Sequence, residues 1–204
     1  TLFRSYQKLL DPNYLSVFGR SLWLAVLTTL LTLLIGYPFA YFTAGLPPKK
    51  RSLALMLVIV PFWTNSLVRI YGWMILLRGQ GVVNSLLAAL GLIDAPLKLL
   101  YNFGAVLVGM VYALIPFMIL SVYNAVAKLD PALIEAARDL GAGRWRAFWT
   151  ITVPMTRAGI MAGCVLVFIP SIGLFFISDL LGGSKTMLLG NLIRDELLTA
   201  RNWP

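Results

Sequence analysis

The side chains that could do chemistry are few, and they gather in two places. Glu135-Ala136-Ala137-Arg138-Asp139-Leu140-Gly141 is a polar stretch wedged between two long apolar runs. Asp179 follows Phe175-Phe176 at the end of another apolar run and precedes Gly182-Gly183. The first place offers exposed charge of both signs on a short rod, suited to holding a soluble partner. The second offers a carboxylate beside aromatic faces, suited to an organic cation. Histidine is absent and Cys164 is the one cysteine. That excludes a Cys/His zinc site, a Ser-His or Cys-His nucleophile pair and an internal disulfide. Cys164 lies in an apolar run, where a cysteine packs as a small hydrophobe.

The elements that position these residues are apolar. Of 204 residues, 59% are hydrophobic and only 12% charged, about half the charge of a soluble domain. Four segments are long enough to cross a bilayer core, which needs roughly 20 residues. They are Ser21 to Thr43, Leu53 to Leu77, Gly104 to Asn124 and Ala158 to Ser178. The predicted fold is an all-α, polytopic transmembrane bundle forming a single membrane domain. Each segment contains a proline (Pro38, Pro61, Pro116 and Pro170), tolerated where neighbouring helices satisfy the freed carbonyl. Val82 to Leu90 reads as a short interfacial helix stopped by Gly91.

Net charge is +9. No basic run with interleaved aromatics stands in a soluble stretch, which argues against nucleic acid, and basic residues flanking spans on the cytoplasmic side account for the excess. Lys49, Lys50 and Arg51, with Lys128, Arg138, Arg144, Arg146 and Arg157, are dense in the loops 44–52 and 125–157. As many are spread thinly through the remaining, longer loops. The first two loops are therefore expected in the cytoplasm.

Within the second of these, Asp130 suits an N-cap and Pro131 the first helical position. Glu135 and Arg138 are spaced to pair at i, i+3. Gly141 suits a left-handed C-terminal cap. A second short helix, Arg144 to Ile151, carries Trp145, Phe148 and Trp149 and is expected to stop at Pro154. The alternative is an interfacial helix resting on lipid, but anionic lipid would repel Glu135 and Asp139.

Glu-Ala-Ala, then Gly141, Ile151 and Pro154, resembles the "EAA" loop of ABC importer permeases. The resemblance implies a coupling helix that docks on an ATP-binding subunit through Glu135, Ala136, Ala137, Arg138, Asp139 and Gly141. Thr152-Val153-Pro154 departs slightly from relatives with Leu before the proline. The stretch Pro61-Phe62-Trp63-Thr64-Asn65-Ser66-Leu67-Val68-Arg69-Ile70-Tyr71-Gly72 is similar to that of the spermidine/putrescine permeases. So are Leu129-Asp130-Pro131 and Gly173-Leu174-Phe175-Phe176 with Ser178-Asp179-Leu180. The resemblance covers nearly the whole chain. It implies a bacterial inner-membrane subunit acting with an ATPase dimer, a second permease, a periplasmic binding protein and a polyamine. ATP and magnesium would belong to the ATPase, leaving this chain with no cofactor and no catalysis of its own. Six spans are usual in this family, so the first and last are expected outside this sequence.

A polyamine path needs local carboxylates and aromatics, because the chain as a whole is basic. Asp179, Trp63, Tyr71, Phe175 and Asn65 are the candidates, with Trp73 and Tyr112 as further aromatic faces. Asp179 could equally cap a short helix. Arg69 would repel a cation in a pore and is expected to anchor, gate or pair. Gly182-Gly183-Ser184-Lys185-Thr186 looks like a phosphate loop, but Ser184 interrupts the Gly-Lys step and no strand precedes it. Ferric iron, an amino acid or a phosphonate are rival cargoes; a channel or ion-driven carrier is the rival of another class, and the missing intramembrane acid pairs speak against proton coupling.

Overall fold

The computed structural model describes residues 12–183 and 188–194. Asp11, Asp195, Glu196 and the Ser184-Lys185-Thr186 part of the phosphate-loop look-alike lie outside them. Among the described residues there is no strand. The helices run in order: α1 (Pro12–Ala44), α2 (Pro48–Ile59), a 3-10 turn (Val60–Trp63), α3 (Ser66–Leu77), α4 (Val82–Ala89), α5 (Phe103–Val126), α6 (Pro131–Asp139) and α7 (Arg144–Ala147). A π-turn (Phe148–Thr152) leads into α8 (Val153–Gly173). Then follow α9 (Phe175–Ile177), a second π-turn (Ser178–Gly182) and α10 (Leu189–Arg194).

Among the described residues three helices are long and apolar enough to cross a membrane: Leu15–Ala44, Phe103–Val126 and Arg144–Gly173. The expected span from Leu53 to Leu77 is not one helix. It is broken between Trp63 and Ser66, and its two halves qualify as a fourth span only together. The cause is local. Pro61 has no N–H to continue an α-helix and sits in the 3-10 turn. Asn65 then starts a new helix, its Oδ1 accepting from Leu67 N at 2.8 Å. The short helix after Gly81 forms as expected, and Gly91 ends it at φ +67°.

Pro38, Pro116 and Pro170 are all accommodated inside continuous helices. Pro154 is not the stop that its residue type predicts. Val153 N bonds Phe148 O, five residues back, so the chain enters α8 through a π-turn. The extra residue makes room for the proline ring in the first turn of α8.

The chain packs as two compact units. One comprises Thr1–Thr28, Thr64–Ala113 and Phe168–Pro204; the other comprises Thr29–Trp63 and Leu114–Val167. The first has a core of Leu24, Ile70, Leu77, Val106, Met110, Ile177 and Leu181. There α5 passes Leu181 at Gly109, where a Cβ would lie 2.4 Å from Leu181 Cδ1. In the second unit α5 and α8 touch at Gly159, whose Cβ would meet Ala125 Cβ at 2.4 Å. Small residues at such crossings are how helices pack when lipid supplies no hydrophobic drive between them. Outward-facing Leu30, Leu34, Met161, Val165 and Ile169 are exposed, as lipid contact requires.

Candidate functional site

The segment from Asp130 to Trp149 is built by its own ends. Asp130 Oδ1 accepts from Ala132 N at 3.0 Å, and Pro131 opens α6. At the other end Gly141 takes φ +84°. Gly141 N donates to Arg138 O and Ala142 N to Ala137 O, both at 2.9 Å. This pair of bonds is the Schellman closure, which needs a left-handed residue at the Gly141 position. The expected Glu135–Arg138 ion pair does not form among the described residues; Glu135, Arg138 and Asp139 are all exposed. Water competes for both partners on a two-and-a-half-turn helix, and holding two long side chains together costs entropy.

Beside these charges stand large apolar groups. Leu140 is 89% exposed, Trp145 77% and Trp149 61%. Such side chains mark an interaction surface when they cluster with charge. An open cleft of about 520 Å³ lies alongside, lined by Asn124, Lys128, Asp130, Leu133, Met155 and Gly159 among others.

Phe148 joins this segment to α1. Its ring makes edge-on contacts with Tyr37 at 5.7 Å, Tyr41 at 5.5 Å, Trp149 at 5.3 Å and Trp145 at 6.4 Å. Beneath it, Thr156 Oγ1 donates to Thr152 O at 2.8 Å and lies 2.9 Å from Tyr37 Oη. The two hydroxyls share one buried hydrogen bond. The π-turn is thus tied to α1 by a cluster of rings, and the first turn of α8 by one hydrogen bond.

Asp179 sits in the second π-turn. It caps no helix. Its Oδ2 pairs with Arg194 Nη1 and its Oδ1 accepts from Asn191 Nδ2. The Arg194 guanidinium also lies 5.4 Å from the centre of the Phe175 ring. Asp179 and Phe175 are therefore brought together as the sequence suggests, and an internal cation stands between them. Arg194 and Asn191 carry no local signal, being 15 and 12 residues from Asp179 along the chain.

The other candidates lie elsewhere. Asn65 spends its side-chain oxygen on the α3 cap. Trp63 is 83% exposed in the 3-10 turn, and Tyr71 is exposed on α3. Trp73 and Tyr112 pack on one another at 5.4 Å. Arg69 is half-buried, with Nε and Nη1 withdrawn from solvent.

Comparison with known proteins gives this arrangement a context. The family described as "Binding-protein-dependent transport system inner membrane component" matches residues 36–200. The spermidine/putrescine transport system permease protein PotB of Escherichia coli is 50% identical over 200 residues, covering 98% of this chain and 73% of the relative. The protein of the same name from Haemophilus influenzae is 48% identical, over 98% of this chain and 70% of its own. A crystal structure of a bacterial alginate ABC transporter, in complex with an alginate pentasaccharide-bound periplasmic protein, superposes with a TM-score of 0.76. It covers 95% of this chain and 70% of the other at 21% identity, a likeness of fold. On the match of residues 36–200 and the half-identity along nearly the whole chain, this chain belongs to the family of binding-protein-dependent transport system inner membrane components.

Proposed function

We propose that this chain is the permease of an ATP-driven importer for polyamines such as spermidine and putrescine. What carries the coupling reading is α6: a helix closed at both ends by its own caps, with Glu135, Arg138 and Asp139 exposed and Leu140, Trp145 and Trp149 standing beside them. Such a surface suits a soluble ATP-binding subunit on the cytoplasmic face. Closure of that subunit's dimer around ATP and magnesium would push α6. Phe148, packed on Tyr37 and Tyr41, would carry the push to α1. This chain then supplies no catalytic group; it supplies the lever. The remaining partners of the reading are a second permease subunit and a periplasmic binding protein.

The substrate class is supported by the half-identity to spermidine/putrescine permeases along nearly the whole chain. Asp179 with Phe175 offers a carboxylate and an aromatic face to a protonated amine. Trp63 and Tyr71, both exposed, are further contacts in this reading.

The test is reconstitution of the full complex in liposomes. Spermidine and putrescine, presented by the periplasmic protein, are expected to accelerate ATP hydrolysis, while ferric iron, amino acids and phosphonates are not. Acceleration by one of these instead reassigns the cargo. Glu135→Ala and Gly141→Asp are expected to break the link between hydrolysis and uptake. Full substrate-stimulated uptake by Gly141→Asp contradicts the lever.

A further inference from the structure

We infer that Arg194 is a resident stand-in for the substrate's ammonium group, one that an incoming amine must displace from Asp179 and Phe175. The inference rests on the polyamine reading above and deepens it. A protonated amine is recognised by carboxylate oxygen and by the face of an aromatic ring. Arg194 already holds both, through Nη1 on Asp179 Oδ2 and through its guanidinium over Phe175.

The setting of the pair favours exchange over a fixed strut. Asn191 Nδ2 meets Asp179 Oδ1 and Arg194 Nη1 meets Oδ2, and a single ammonium nitrogen can take the second place. The pair is also open to water: the Arg194 side chain is 34% exposed and that of Asp179 35%. Replacing one cation by another leaves Asp179 compensated throughout the exchange.

The short helix carrying Arg194 is held by other contacts. Leu189 N donates to Ser21 Oγ at 2.8 Å, Leu188 N donates to Asn191 Oδ1 at 3.2 Å, and Leu188 is buried. Loss of the guanidinium therefore removes the competitor and leaves its support. Arg194 thus sets how strongly the permease itself holds a polyamine, and so how readily the cargo moves on.

The experiment is equilibrium binding of radiolabelled spermidine to the assembled membrane complex in nanodiscs, without the periplasmic protein. Arg194→Gln is expected to bind roughly two- to fivefold tighter than wild type, the scale of a partly exposed ion pair. Arg194→Lys retains a cation and is expected to stay at the wild-type value. In Asp179→Asn/Arg194→Gln the gain disappears. A merely structural arginine predicts no gain at all. Unchanged, weaker or unmeasurable binding by Arg194→Gln, with uptake lost in Asp179→Asn, overturns the inference and leaves the polyamine reading standing. Normal uptake by Asp179→Asn removes Asp179 from the path and the inference with it.

Discussion

Glu135, Arg138 and Asp139 stand exposed with no ion pair among the described residues, whereas Asp179 is held by Arg194 and Asn191. The two regions use charge in opposite ways. On α6 the helix needs none of its charged side chains to hold its shape, because Asp130, Pro131 and Gly141 do that at its ends. Its charges are left to solvent. Around Asp179 the charge is consumed internally, so any outside cation meets an occupied site. Ionisable residues in an exposed rod advertise binding by lacking partners; those beside a membrane span advertise it by the kind of partner they already have.

Substitutions can break that contrast in order of expected size. Phe148→Ala should be the most damaging. It removes four ring contacts, each worth about 0.5–1.5 kcal/mol beyond the area buried. The detergent-purified complex should melt well below wild type. An unchanged melting temperature would detach α6 and its π-turn from α1. Gly141→Val places a β-branched residue at φ +84° and should cost about 1–2 kcal/mol. Its signature is weakened binding of the ATP-binding subunit, measured by co-purification, with the helices of the bundle intact by circular dichroism.

Asp130→Ala loses the cap to Ala132 N, a change typically costing about 1 kcal/mol, and should show as faster amide exchange confined to α6. Tyr37→Phe removes the hydroxyl shared with Thr156 and should cost about 0.5–1 kcal/mol. Trp149→Ala should cost no more than its one ring contact with Phe148, about 0.5–1.5 kcal/mol, since that ring is mostly exposed, yet should lower affinity for the ATP-binding subunit. If Trp149→Ala instead destabilises the fold and spares binding, the exposed aromatics belong to packing rather than to docking.

Much of this was legible before any coordinates. The caps of α6, the stop at Gly91 and three of the apolar spans follow from local chemistry: a short polar side chain, a locked φ, a residue without Cβ, a run of apolar residues. Where the structure departs from those signals, a second local signal competes with the first. Length and hydropathy made Leu53 to Leu77 one span, while Pro61 and the Asn65 cap break it. Pro154 signalled a stop, while one extra residue in a π-turn let the helix run on. The pairing of Asp179 with Arg194 had no local signal, because no period or motif links residues 15 apart in separate short turns. Phe148 was visible as an aromatic on a polar segment, but its partners Tyr37 and Tyr41 lie in α1, more than a hundred residues earlier.

The central claim is that α6 meets a soluble motor from the inner face. A single cysteine at its exposed corner tests this most directly: Leu140→Cys in a Cys164→Ser background, studied in the assembled complex. The account predicts a cross-link to the ATP-binding subunit whose yield changes when ATP is bound. Modification of that cysteine by a membrane-impermeant reagent from the periplasmic side, with no cross-link to the ATP-binding subunit, would contradict it.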